Sequence, residues 1–449
     1  MSLPQPIEAP ASFTGQRVAV VGMGIEGRDA FQFLVREGAE VVTVDRNPRR
    51  AMRDQDDVSL LQGLDALIAS QGVPWDSTLL VDAARRGLPV FGPTQVFFER
   101  CPSNRVIGIT GSAGKTTTTT LVHELLSRAE VDCVLGGNIG RGLLGQLPDI
   151  APDTTVVAEL SHTQLLRTTR SPQVAAITNI TPNHLDQFDW DDYQALKYRI
   201  VEYQTGTDRV VLPFDEPRAA HASRLGSAAN EWFGIGEPPC RAAAHCDRGH
   251  VFRNGRRLMD ADELKIPGQH NLRNALAALA IVGELVSDDA AAAVLSTFAG
   301  VAHRLELVAE LDGVRFVNDS IATTPERTLA GIRAIDGPIV LMLGGRDKRL
   351  PLDPLVDELR RRVRRAVLFG ETGAAWAQWC AEQGVEARHA GDLASAFAET
   401  VGAAQPGDAV LLSPGGTSFD AYPNFEARGQ HFRDLVEALR PKESVADER

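Results

Sequence analysis

The chain has 449 residues, enough for several domains of ordinary size. Hydrophobic residues make up 43% and charged residues 23%, a globular composition that excludes wholesale disorder and a fibrous chain. The net charge of −13, from 46 basic and 59 acidic residues, argues against a nucleic-acid binder, so any phosphate must be held locally by backbone amides, a few cations and metal.

Three blocks follow in chain order. In the first, residues 17–21 read as a buried strand, 27–37 have helical spacing, and 40–44 form a second strand ending at Asp45, with alternation continuing to about Pro93. The second block opens with a strand at 105–109, a glycine loop and a helix at 116–128. Strands at 154–158 and 174–180 come next, then helices at 190–203 and 270–285. The third begins near His303, with strands at 314–317, 339–343, 366–369 and 409–412, each followed by a helical pattern. This alternation predicts an α/β fold of parallel, doubly wound sheets in three domains, 1–99, 100–301 and 302–449. The last ten residues are polar and expected to fray.

No run of about 18 apolar residues occurs. Residues 1–13 lack a basic segment followed by an apolar core, so no signal peptide, no membrane and a cytoplasmic location are expected. The cysteines, Cys101, Cys133, Cys240, Cys246 and Cys380, are odd in number and form no C-x-x-C pair. They predict isolated reduced thiols rather than a zinc site or a disulfide framework.

Gly22-Met23-Gly24-Ile25-Glu26-Gly27 lies between a predicted strand and helix. Glycines there permit a tight turn and a close approach of backbone amides to a pyrophosphate, and Asp45 could accept from a ribose or base edge. Alone, the loop fits a dinucleotide-binding dehydrogenase, a site for another nucleotide diphosphate, or a turn needed only for packing.

A second loop, Gly108-Ile109-Thr110-Gly111-Ser112-Ala113-Gly114-Lys115-Thr116-Thr117, departs from the strict Walker A pattern at Ile109. Its chemistry survives: Gly111 and Gly114 allow a curled backbone, Lys115 can bridge phosphates and Thr116 can ligate Mg²⁺. Two phosphate loops in one chain are more than a dehydrogenase needs.

Glu159 and His184 follow predicted strands whose ends open on the same sheet edge as this loop, so a carboxylate, an imidazole and the Thr116 hydroxyl could surround Mg²⁺. By itself His184 reads as a surface histidine, and Lys197 as a solvated helical charge. Beside a metal site Lys197 could instead be carbamylated to a carboxylate. Asn271 and Asn274 stand one helical turn apart and can face one ligand, or cap and decorate the helix. In the third block His303-Arg304, Asn318-Asp319-Ser320-Ile321-Ala322-Thr323, Gly344-Gly345-Arg346-Asp347-Lys348 and Ser413 to Asp420 can converge on one cleft, with Phe425 and Arg428 on the next helix. Thr323, Lys348 and Ser418 are suitable donors for a substrate with two carboxylates.

With these motifs in this order, nearly the whole chain resembles the Mur ligase family. The markers are Gly22-x-Gly24, residues 110–116, Gly137-Asn138-Ile139-Gly140, Glu159-Leu160-Ser161 with Gln164, Asn183-His184-Leu185-Asp186 and Lys197. Residues 268–271, His303-Arg304, Asp319-Ser320, 344–348 and 413–420 complete them, the last two favouring the glutamate-adding branch. The resemblance implies a Rossmann-like N-terminal domain, a central P-loop ATPase-like domain and a Rossmann-like C-terminal domain. It also implies a monomeric cytoplasmic enzyme of peptidoglycan precursor synthesis. ATP would phosphorylate the carboxylate of UDP-N-acetylmuramoyl-L-alanine to an acyl phosphate, which the glutamate amine then attacks.

The resemblance further assigns roles. Lys115, His184, Lys197 and Asn138 would serve catalysis, and Thr116, Glu159, His184 and a carbamylated Lys197 would hold two Mg²⁺ ions. ATP would meet Gly111, Ser112, Ala113, Gly114, Lys115, Thr116, Thr117, Asn271, Asn274, Arg304 and Asp319. Gly22, Gly24, Asp45, Arg46, Asn138, Ser161 and Gln164 would hold the UDP substrate, and Thr323, Lys348, Ser418 and Phe425 the glutamate. This chain departs from the family pattern at Ala113, at Ile321 where a lysine is usual, at His162, and at Gln71 where proline is usual. A related ligase adding L-glutamate or another amino acid, or a non-catalytic nucleotide-binding homologue, are the alternatives.

Overall fold

A computed structural model describes residues 3–47, 49–182, 187–266, 268–347 and 350–440. The chain divides into two compact units, Met1–Phe298 and Ala299–Arg449, and the first carries two of the three sheets. The fold is α/β with largely parallel sheets.

The first sheet is parallel throughout, in the order Arg53–Asp54, Glu40–Asp45, Arg17–Val21, Ala66–Ala69, Val90–Phe91. The chain runs outward from Arg17–Val21 on one side and resumes on its other side, so the order reverses there. A crevice opens at such a point, beyond the carboxyl ends of the two strands. The loops at those ends begin at Gly22 and Ser70.

The nine-stranded sheet is parallel from Cys133–Gly137 through Thr155–Glu159, Val106–Thr110, Val174–Ile177, Arg209–Pro213 and Ala229–Ile235 to Ala244–Asp247. The strands His250–Arg253 and Arg256–Asp260 extend it antiparallel, which the alternation of strand and helix did not predict. The alanine-rich helix Gln269–Val282 is buried continuously from Asn274 onward, as an almost uniformly apolar helix must be. It stops three residues before the predicted end, where Gly283–Leu285 tightens into a 3₁₀ turn. The strand predicted to reach residue 180 ends at Ile177, because Thr178 and Asn179 turn their polar groups to another loop.

In the second unit the order is Glu306–Leu311, Val314–Asn318, Ala409–Gly415, Ile339–Gly344, Val363–Phe369, Ala387–His389, parallel except for the first pair. Ala409–Gly415 is inserted between Val314–Asn318 and Ile339–Gly344, so three loop-bearing strand ends lie side by side. All five cysteines are free thiols. No helix among the described residues is long and apolar enough to cross a membrane. Except for Arg440, the predicted frayed tail lies outside the described residues.

Candidate active site

The buried strand Val106–Thr110 feeds a loop at 111–114, from which the helix Lys115–Arg128 departs. Gly111 and Gly114 have φ of +149° and +82°. A Cβ at Gly111 would overlap Thr178 Oγ1, and one at Gly114 the side-chain oxygen of Asn274. The loop rests on a polar bed: Ala113 N donates to Asn179 Oδ1 at 2.9 Å, and Asn179 Nδ2 donates to Ala113 O at 3.0 Å. Ser112 Oγ donates to Thr181 O at 2.9 Å and accepts from Tyr193 OH at 3.1 Å. Lys115 Nζ donates back to Gly111 O at 2.7 Å and Ser112 O at 3.3 Å, curling over the loop. Thr116 is buried on the first turn and Thr117 half-buried. A glycine-lined loop, a helix N-terminus and a lysine together form an anion cradle.

Beside it, Glu159 ends the neighbouring strand and is almost completely buried. Asn138 bends over it: Asn138 N donates to Glu159 O at 2.9 Å, and Asn138 Nδ2 donates to Glu159 Oε1 at 2.8 Å. A Cβ at Gly137 would overlap the Glu159 carbonyl, so this approach requires glycine. Glu159 Oε2 is buried without a hydrogen-bond partner. An orphaned carboxylate oxygen at the end of the strand beside the one that feeds the phosphate loop suits a hard cation such as Mg²⁺. Among the described residues no group of three His, Cys, Asp or Glu side chains gathers for a metal. His184 lies outside the described residues.

Lys197, which alone reads as a solvated charge, is only 1% exposed. Its Nζ donates to Gly111 O at 2.9 Å and Thr110 Oγ1 at 3.2 Å, and lies 5.4 Å from the centre of the Tyr193 ring. Burial first, and the Lys115 charge second, push its pKa well below the lysine range, with Glu159 opposing.

At the crevice of the first sheet, Gly22 has φ +84° and its carbonyl accepts from Ser70 Oγ at 2.7 Å. A Cβ at Gly27 would overlap that carbonyl, and Gly24 caps the helix Ile25–Glu37. Asp45 accepts from Met23 N at 2.7 Å and Asn47 N at 2.8 Å, one bond on each oxygen. The carboxylate therefore braces the glycine loop and retains lone pairs for a ligand. Arg46 is exposed. Ser161 and Gln164 cap each other at the start of a short helix, Ser161 N donating to Gln164 Oε1 at 2.9 Å and Gln164 N to Ser161 Oγ at 3.1 Å. Gln164 Nε2 donates to Glu26 Oε1 at 2.6 Å, and burial pushes the Glu26 pKa up. Glu26, Gln71, Gln164, Arg167, Trp75 and Phe188 are among the residues lining a cavity of about 460 Å³.

In the second unit Asp319 is buried, its Oδ2 accepting from Ser413 Oγ at 2.8 Å and its Oδ1 from Leu305 N at 3.3 Å. Burial pushes its pKa up to about 7 against these hydrogen bonds and the charges of Arg304 and Arg327. Arg428, fully buried, donates from Nε to Ser320 Oγ at 3.0 Å, from Nη2 to Ser320 O at 2.9 Å and from Nη1 to Gly416 O at 3.2 Å. Ser320 Oγ donates to Phe425 O at 2.8 Å, and Ser418 is buried. Thr323 N donates to Ile321 O at 2.9 Å, and Arg304 is exposed. Lys348 lies outside the described residues.

Two family models match the chain: the Mur ligase middle domain over residues 109–282, and the Mur ligase glutamate ligase domain over residues 303–416. The UDP-N-acetylmuramoylalanine–D-glutamate ligase of Symbiobacterium thermophilum is 38% identical, covering 94% of this chain and 98% of that protein. The ligase of the same name from Acetivibrio thermocellus is 35% identical, covering 94% and 97%. This chain belongs to the Mur ligase family.

The crystal structure of the Mur ligase UDP-N-acetylmuramate–alanine ligase from Thermotoga maritima shares the fold, with a TM-score of 0.57 at 19% identity over 95% of this chain and all of that one. FolC of Escherichia coli in complex with ADP gives 0.54 at 17% over 77% and 92%.

This Mur ligase brings the phosphate loop, Asn138, Glu159, Lys197 and Asn274 together within its first unit. Asn274 is buried, with Thr118 Oγ1 donating to its Oδ1 at 3.4 Å and its Nδ2 donating to Asn271 Oδ1 at 3.4 Å. Sequence reasoning missed Asn179 and Glu26, and it placed Arg428 on the helix beside the cleft without foreseeing its clamp on Ser320 and Gly416. It treated Gln71 only as a departure, although Gln71 touches both Asn138 and Ser161. Asparagine and glutamine carry no pattern that separates a bed or a bridge from a loop, so their sequence held no signal for these contacts.

Proposed function

We propose that the chain is an ATP-dependent ligase that joins D-glutamate to UDP-N-acetylmuramoyl-L-alanine in peptidoglycan precursor synthesis. The observation that carries this reading is the similarity along 94% of the chain to ligases bearing that name. The site's chemistry supports it. A carboxylate oxygen of the UDP substrate takes the γ-phosphoryl group of ATP, giving an acyl phosphate and ADP. The glutamate amine then attacks the acyl carbon, phosphate leaves, and the amine loses a proton to give the amide.

Residues 1–99 act as a Rossmann-like UDP-substrate domain, 100–301 as a P-loop ATPase-like domain and 302–449 as a Rossmann-like glutamate domain. Gly22, Gly24, Asp45, Arg46, Asn138, Ser161 and Gln164 take the UDP substrate. Gly111 to Thr117 cradle the phosphates, Lys115 offsets their charge, and Asn271, Asn274, Arg304 and Asp319 serve the nucleotide. Thr116, Glu159, His184 and Lys197 hold Mg²⁺, which when bound supplies positive charge at the transferring phosphoryl group. Lys197, whose pKa burial lowers well below the lysine range, is suited to carbamylation: its nitrogen bonds the carbon of CO₂ and a proton leaves. Thr323, Lys348, Ser418 and Phe425 receive the glutamate. The enzyme works as a cytoplasmic monomer on small molecules.

Phosphate release from ATP with UDP-N-acetylmuramoyl-L-alanine tests this, with D-glutamate run beside L-glutamate, D-aspartate and no amino acid. Release that requires D-glutamate is expected. Release with L-glutamate alone would change the product, and no release would refute the reading.

A further inference from the structure

Gln71, on the loop after the strand Ala66–Ala69 of the first sheet, reaches the end of the nine-stranded sheet. Its Oε1 accepts from Ser161 Oγ at 2.7 Å and from Thr163 Oγ1 at 3.4 Å. Its backbone N donates to Glu26 Oε2 at 3.2 Å. The two hydroxyls hold Gln71 Oε1, and its Nε2 donates to Asn138 Oδ1 at 3.2 Å. A carboxylate only accepts, so Asn138 must turn Nδ2 toward Glu159 and Oδ1 away from it, and Oδ1 is the end that Gln71 Nε2 holds. It does so, donating to Oε1 at 2.8 Å and leaving Oε2 as the buried oxygen without a partner.

We propose that Gln71 is a positioning residue for the cation-binding oxygen of Glu159, acting through Asn138, an inference that rests on the ligase reading above. By holding the Asn138 amide in one of its two flips, it occupies one carboxylate oxygen and presents the other. A loop at the crevice of the first sheet thereby sets the carboxylate beside the phosphate loop.

The test uses the full chain with a non-hydrolysable ATP analogue, and reads Mn²⁺ binding by EPR beside the thermal midpoint. Gln71→Met keeps the length and removes both polar ends. Gln71→Glu keeps the acceptor for Ser161 but sets an oxygen against Asn138 Oδ1, which favours the wrong flip. Both variants are expected to weaken Mn²⁺ binding about tenfold, as loss of a group orienting a metal ligand does. Gln71→Met should cause no further loss in an Asn138→Ala background. Wild-type Mn²⁺ affinity in either folded variant would overturn the proposal. So would an undiminished effect of Gln71→Met without the Asn138 amide, or no Mn²⁺ binding by the wild type. If Gln71→Glu fails to fold, the methionine variant and its double-mutant comparison decide alone. Mn²⁺ binding needs no turnover, so a wild type without ligase activity would refute the reading above while the Mn²⁺ result still judged Gln71.

Discussion

Gly114 and Asn274 meet so closely that one added methyl group on the glycine would overlap the asparagine's side-chain oxygen. The contact joins the N-terminus of the helix Lys115–Arg128 to the helix Gln269–Val282 and holds the phosphate loop in its curled form.

Gly114→Ala therefore suffers twice. The left-handed backbone costs about 1–2 kcal/mol for a residue with a Cβ, and Asn274 must move as well. ADP affinity measured by calorimetry should fall about tenfold or more, since 1.4 kcal/mol is a factor of ten. Wild-type affinity would mean that the loop opens freely in solution.

Lys115→Met removes the cation that curls over the loop while keeping the length of the side chain. Loss of one preorganised donor to developing charge costs about 10²–10³-fold in kcat. Phosphate release should drop by that factor with the thermal midpoint little changed. A smaller loss would shift the burden of charge stabilisation to the metal.

Asp319 should make stability depend on pH. Its folded pKa is raised from 3.8 to about 7, mainly by burial. The protonated form is the one the folded state favours, so its contribution is full below about pH 4 and is lost as pH rises through about 7. The shift corresponds to about 4 kcal/mol. Asp319→Asn, which stays neutral, should flatten urea unfolding of the full chain between pH 4.5 and 8. An unchanged slope would show that the carboxylate ionises in the fold without cost.

Arg428→Lys should loosen the loops at Ser320 and Gly416 together, because lysine cannot span three acceptors in a fork. Lost hydrogen bonds to a charged group cost about 1.5–3 kcal/mol each, so the thermal midpoint should fall. Steady-state kinetics should show KM for glutamate rising more than KM for ATP or the UDP substrate. An equal rise in all three would make the arginine a general support of the fold.

Much of the architecture was legible because it rests on local rules. The strand–glycine–helix patterns at 17–37 and 105–128 announce themselves through apolar runs followed by residues that permit positive φ, and the structure places both as expected. The antiparallel strands His250–Arg253 and Arg256–Asp260, the last two of their sheet, escaped notice because short, largely polar strands lack the continuous apolar run of a buried one.

The sequence by itself determined which chemistry is present: a phosphate loop with Lys115 and Thr116, an acidic residue at a strand end, and an order of motifs shared along a whole family. Those properties are carried by residue type and local spacing. Only the tertiary structure decided how the polar groups are used. Lys197 is buried beneath the phosphate loop, Asp45 braces a turn, Asn179 forms a bed, and Gln71 reaches Asn138 from another sheet. A hydrogen bond acts over about 3 Å, so its partner is chosen by which strand ends the sheet order sets side by side, and nothing in local sequence encodes that adjacency.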